Sequence, residues 1–251
     1  MKKPILAFAI FFATTVHAQN IHPRIELYAA PGFFFEQLNN DSLIPPDRRM
    51  HSRLGDVVSY GMQYRFSLKN KRLLLKTGIG FSERNYSLNK YSLDDFFVSL
   101  FSFGLGSRKD TFAVAYVKLT NRYLHIPVSV AWSFTRPDKG KVVTLSAGIN
   151  FHSDFLLKSK ARIDTDSSYY IPSAEGLNEL QDKYTSGATK YVLTAEPYFE
   201  TSINIYKGIG FYTQFSPFSF YASKLNQEYT SSTFNVFNFS FGLFYNFNNK
   251  R

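Results

Sequence analysis

The sequence predicts an all-β protein, an eight-stranded antiparallel up-and-down transmembrane β-barrel, with ten strands as the alternative. Three observations predict it. Apolar and polar residues alternate with period two over eight segments. The connections between those segments alternate between short and long, as tight turns and extended loops do in a membrane barrel. The chain is also rich in aromatics, with 27 Phe and 17 Tyr, yet its mean hydropathy is −0.20. Greasy residues are therefore interleaved with polar ones, and no segment after the first turns of the chain supplies the ~20 continuous apolar residues a transmembrane helix requires.

The segments are 24–35, 56–68, 73–88, 112–134, 141–157, 190–205, 209–220 and 236–247. The first places Glu26 on the inward parity. In the second, Val58, Tyr60, Met62, Tyr64, Phe66 and Leu68 alternate with Ser59, Gly61, Gln63, Arg65 and Ser67. The third carries Lys76 inward. In the fourth, Leu124, Ile126, Val128, Val130, Trp132 and Phe134 alternate with His125, Pro127, Ser129, Ala131 and Ser133. In the fifth, Val143, Leu145, Ala147, Ile149 and Phe151 alternate with Thr144, Ser146, Gly148, Asn150 and His152. The sixth turns Glu196 and Glu200 inward, and the seventh repeats the alternation over 209–220. In the eighth, Phe237, Phe239, Phe241, Leu243, Tyr245 and Phe247 share one face, and Phe244 alone interrupts the polar one. Such a strand would aggregate in water unless covered. A bilayer covers it, and a closed barrel leaves no backbone group unpaired there. Phe96–Leu105 is apolar enough to be a further strand, which is the source of the ten-strand alternative.

The two ends of the chain give the location. Lys2 and Lys3, the apolar run from Pro4 to Ala13 and Val16-His17-Ala18 resemble a signal peptide over 1–18, leaving 19–251 as the barrel domain. With no cysteine, disulfides, thiolate metal sites and a lipoprotein anchor are excluded. Ser240, Gly242, Tyr245 and Phe247 resemble the C-terminal assembly signal of outer-membrane barrels. Tyr123-Leu-His-Ile-Pro-Val-Ser-Val130 resembles the Tyr-Leu-Glu-Ile-Pro-Leu strand of the porin-like, or PorT-like, outer-membrane barrels common in Bacteroidota, with His125 where that pattern has an acid. The resemblance implies an eight-stranded integral outer-membrane barrel and brings no catalytic residues with it.

Four constellations are candidate sites. Glu26, Arg65, Lys76, Glu196 and Glu200 all face inward. A turn at Asn70-Lys71 sets Arg65 opposite Lys76, so carboxylates must cross the lumen to them, which predicts a salt-bridge plug at the periplasmic end. It is either a packed core or a gate. His125 and His152, opposed if the hairpin centres between Asp138 and Lys139, form a candidate metal or pH-sensing pair, or plain polar filling. The short turns and tail carry Lys69, Lys71, Arg72, Arg136, Lys139, Lys141, Lys207, Lys250 and Arg251 against Asp138, a basic periplasmic rim suited to anionic headgroups, to an acidic partner, or simply to the membrane edge. Tyr169, Tyr170 and Tyr184 in the outer loops could stack on sugars or a protein.

No nucleophile elbow, phosphate loop or His-Glu-x-x-His pair is present. His125 and Ser153 fall near the outer rim, but parity puts Ser153 on the lipid face and His125 inside. The expectation is a non-enzymatic surface, scaffold or envelope-complex barrel without cofactor. A narrow gated channel and, third, a lipid-modifying enzyme compete with it. Expected partners are outer-membrane lipids, the barrel-assembly machinery and an envelope protein. Nucleic acid is not one of them, because the excess basicity is confined to a rim and the chain is exported.

Overall fold

Alternating Val, Ile, Phe and Tyr favour the pleated strand, where each successive side chain changes face. In the computed structural model these stretches form eight strands: β1 (Arg24–Leu38), β2 (Ser52–Ser67), β3 (Leu73–Leu88), β4 (Tyr116–Ser133), β5 (Val143–Asp164), β6 (Tyr191–Tyr206), β7 (Ile209–Tyr221) and β8 (Thr230–Asn246). Each pairs antiparallel with its neighbours in sequence, and β1 pairs with β8 to close the barrel. The structure describes residues 23–38, 52–67, 72–88, 116–135, 142–164, 178, 182, 185–225 and 230–247. The barrel closes with eight strands. The expected leader over 1–18, Phe96–Leu105, Tyr169, Tyr170 and Tyr184 lie outside the described residues.

Parity sorts the side chains as the alternation predicts. On β8, Phe241 and Leu243 are 53% and 61% exposed, whereas Phe244 is 3% exposed inside. The outward face is an unbroken apolar belt that includes Leu27, Tyr60, Ile79, Trp132, Phe151 and Phe199. On β4 it runs from Phe134 to Leu124, which spans about 25 Å of membrane for a strand tilted by about 40°. The start of β1, the end of β8 and the strand ends joined by the short connections share one end of the barrel, and the strand ends joined by the long connections share the other. Lys207 and Gly208 both have positive φ (42° and 88°), making the two-residue hairpin turn between β6 and β7 that matches strand twist.

The wall shifts register at several places, two of them at prolines. The β1–β8 register shifts between Ala29 and Phe33, and the β6–β7 register shifts between Ala195 and Phe199. Pro31 and Pro197 sit in these intervals, and Pro217 lies on β7 opposite the second one; none has an amide hydrogen to give the ladder. Phe237 on β8, with φ of 59°, absorbs the extra residue of that bulge.

Candidate functional site: the layered lumen

The lumen holds three layers. Nearest the short turns, Arg24 and Glu26 from β1, Arg65 from β2, Lys76 from β3 and Glu200 from β6 meet around the barrel axis, all buried. Arg65 Nη1 donates to Glu200 Oε1 at 2.7 Å, and Lys76 Nζ donates to the other carboxylate oxygen. Glu26 pairs with Arg24 at 2.8 Å and with Lys76 at 3.3 Å. Ser202 donates to Glu200 at 2.8 Å and accepts from Arg24 at 3.2 Å.

Three cations face two carboxylates here, and aromatic rings take up the surplus charge. The Arg24 guanidinium lies 3.4 Å from the Phe244 ring centre, and Lys76 Nζ lies 5.0 Å from that of Tyr212. This explains Phe244, the single apolar residue on the polar face of β8. Arg65 is opposite Lys76 as the turn at 70–71 requires.

One member expected in this plug is elsewhere. Glu196 lies four residues from Glu200 along β6, about 13 Å of strand, and belongs to the middle layer. It accepts from Asn150 Nδ2 at 3.0 Å, Asn238 Nδ2 at 2.9 Å and Ser219 Oγ at 3.1 Å, and it stands 3.0 Å from His152 Nε2.

The same layer contains His125, whose Nδ1 is 2.5 Å from Asp154 Oδ1, while Arg84 Nη2 donates to Asp154 Oδ2 at 2.5 Å. Arg84 is also bracketed by rings, 4.7 Å from the Tyr123 centre and 5.5 Å from that of Tyr221. His125 and His152 are not directly opposed, since His125 pairs with Asp154 and His152 with Pro127. The hairpin centre lies one residue further along than expected, which slides partners by two and preserves parity. The imidazoles still stack, with centroids 4.9 Å apart.

Arg24, Arg84 and Asp154 are absent from the sequence-level set. Each shares the inward parity of a residue that was in it: Glu26, Lys76 and His152 respectively. A cavity of about 60 Å³ lies in this layer, lined by both histidines, Asp154, Glu196, Tyr28 and Thr194. Tyr28 Oη, Thr194 Oγ1 and His152 Nδ1 are buried there without a hydrogen-bond partner among the described residues. No group of three or more His, Asp or Glu among the described residues is arranged to hold a metal ion.

The third layer, toward the long connections, is apolar. Phe34, Val57, Leu119, Tyr123, Val192 and Leu225 pack together, with Leu156 and Ala161 against them. Gly55 makes this packing feasible, because a Cβ there would sit 2.2 Å from the Phe34 ring.

The remaining expected residues fall on the wall. Tyr245 and Phe247 are outward and exposed, while Tyr212 packs against Gly242 so closely that a Cβ there would lie 2.7 Å from its ring. Ser240 lines the cavity. Of the basic rim, Arg72 and Lys207 are described and exposed, over the rings of Trp132 and Tyr206 at 6.0 and 5.0 Å. Lys69, Lys71, Arg136, Lys139, Lys141, Lys250 and Arg251 lie outside the described residues. Ser153 is on the outer face, its Oγ 3.3 Å from Tyr191 Oη, with the wall between it and His125.

No protein-family model and no curated protein matches the sequence. Among solved structures, the chain is similar to Neisserial surface protein A, at 11% identity and a TM-score of 0.42 over 91% of this chain and all of that one. It is also similar to the translocator domain of the autotransporter NalP from Neisseria meningitidis, at 6% identity and a TM-score of 0.35 over 96% of this chain and 95% of that one. A third is Ail, the attachment invasion locus protein of Yersinia pestis, at 11% and 0.29 over 90% and 99%. The closed ladder and the outward belt on their own define the class, an eight-stranded antiparallel barrel of the transmembrane type.

Proposed function

We propose that this is an integral outer-membrane barrel with a sealed lumen, acting without catalysis as a surface scaffold or as a subunit of an envelope complex. One observation carries the reading. The charged layer fills the barrel at the short-turn end and the apolar cluster packs across it at the other, which leaves only a small, partly open cavity between them. An ion entering from the short turns meets Arg24, Arg65 and Lys76 already engaged with Glu26 and Glu200, and beyond the cavity it meets a cluster dominated by Phe34, Val57, Leu119 and Val192. Dismantling buried pairs of this kind costs several kcal/mol per ion. In this reading the exterior belt is solvated by lipid, barrel-assembly machinery inserts the chain, and function resides in the outer loops or the rim. The Tyr123–Val130 resemblance supports reading it as a Bacteroidota-type barrel.

Planar-bilayer recording of the refolded chain tests the proposal. We expect silence from the wild type and from Glu196→Gln. Steady wild-type conductance, altered by Glu200→Gln, would replace the scaffold with a gated channel.

A further inference from the structure

Outside the lumen, one surface gathers cations, and among the described residues three of its lysines have no acidic partner. β4 and β5 continue past the apolar belt at the long-connection end. Their outward positions change from Leu124 and Phe155 to Lys118, Arg122, Lys158, Lys160 and Arg162, all exposed. Pairing sets Arg122 opposite Lys158, Thr120 opposite Lys160, and Lys118 opposite Arg162. Directly opposed side chains have Cβ atoms about 5 Å apart, so two of the three rungs place like charges face to face, an arrangement that weakens a hairpin.

Among the described residues one acidic side chain pairs with a ladder cation. Glu83 pairs with Arg122 at 2.6 Å. Among the described residues Lys118, Lys158 and Lys160 make no ion pair. Other charges at this end, among them Asp56, Lys190 and Lys224, are scattered singly.

We propose that this basic ladder binds the phosphates of a phosphorylated glycolipid in the outer leaflet; the inference rests on the outer-membrane reading above. The ladder stands on the same outward face as the belt, and Arg122 follows Leu124 by two residues, about 7 Å of strand. A ligand whose acyl chains lie along Ile126, Leu124 and Phe155 therefore presents its headgroup to the cations. A soluble anion has no use for the adjoining apolar surface, and this continuity selects lipid. Phosphate between opposed cations removes their repulsion, so the bound lipid also stiffens the hairpin.

The test compares the full chain inserted into phosphatidylcholine vesicles doped with bisphosphorylated lipid A and into matched vesicles with dephosphorylated lipid A. Insertion is read by heat-shifted gel mobility, and glycolipid retained per barrel by native mass spectrometry after detergent extraction. The wild type is expected to retain the phosphorylated form preferentially. Lys158→Glu with Lys160→Glu should cut retention about tenfold or more. Lys158→Gln with Lys160→Gln should cut it less, and Lys207→Glu, at the other end, should leave it unchanged. Equal retention of both lipids, or by the charge-reversed barrel, overturns the inference and leaves the membrane reading intact. So does capture of soluble polyphosphate without lipid A. Failure of the wild type to insert into either vesicle overturns both.

Discussion

The charged layer near the short turns and the histidine layer above it draw on the same residue types but differ in how their charges are matched and in the space beside them. Around Glu200 every cation has a carboxylate or a ring face, although Arg24, Glu26 and Tyr212 keep buried polar atoms that form no well-aligned hydrogen bond. Around His125 and His152 each imidazole has one carboxylate at one nitrogen, and a cavity lies alongside, where Tyr28 Oη, Thr194 Oγ1 and His152 Nδ1 belong to the polar atoms without partners among the described residues. The wall gives a physical reason. Beside the lower layer the ladders keep their register and β6–β7 shifts only beyond Asn204, whereas the upper layer sits where Pro31, Pro197 and Pro217 interrupt pairing. Regular walls hold side chains at set spacing and permit close polar packing; a wall that shifts register leaves gaps.

If that contrast is right, substitutions in the two layers should differ in size. Glu200→Ala leaves Arg65 and Lys76 buried without their shared acceptor, and should destabilise the barrel by about 3–5 kcal/mol. Urea unfolding in detergent micelles would measure it, and a loss below about 1 kcal/mol would mean that the lower layer relaxes as readily as the upper. Asp154→Asn should cost about 2–3 kcal/mol, because Arg84 loses its carboxylate but keeps the Tyr123 and Tyr221 faces; the same unfolding curve reads it. Glu196→Gln should cost about 1 kcal/mol, since an amide oxygen still accepts from Asn238 and Ser219. Tyr28→Phe removes a hydroxyl with no partner and should shift the midpoint by about 0.5 kcal/mol or less in either direction. A large loss there would mean that the hydroxyl is bonded in solution, and the layer would be better satisfied than it looks.

Parity is what made so much of this legible from sequence. A strand has two faces, so identifying Phe237, Phe239 and Phe241 as outward fixed Ser240 and Gly242 as inward, and the same logic placed Glu26, Lys76 and both histidines. Distance along the axis was far less accessible. Glu196 and Glu200 share a face, and nothing in alternation says that four residues put them in different layers. His125 illustrates the same limit. A turn centre displaced by one residue moved its partner from His152 to Asp154 without changing the face of either. Arg24 could have been found by parity, but it stands at the start of its strand, where alternation offers no preceding residue to set the phase. The apolar layer was harder still, because Phe34 and Leu119 interrupt polar faces and declare their purpose only when strands distant in sequence bring them together.

Closure joins the extremes of the chain. Arg24 pairs with Asn246, and its guanidinium finds the Phe244 ring only once β8 lies against β1. Until the final strand exists, Arg24 is without the ring it rests on and β1 has an open edge. Contacts spanning the whole sequence are the slowest to form, because the full loop must be gathered before any of them is rewarded. Synthesis therefore runs from one end while completion waits for the other, and the chain must be kept from self-association for the whole interval. The seam between first and last strands acts as a clock as well as a join.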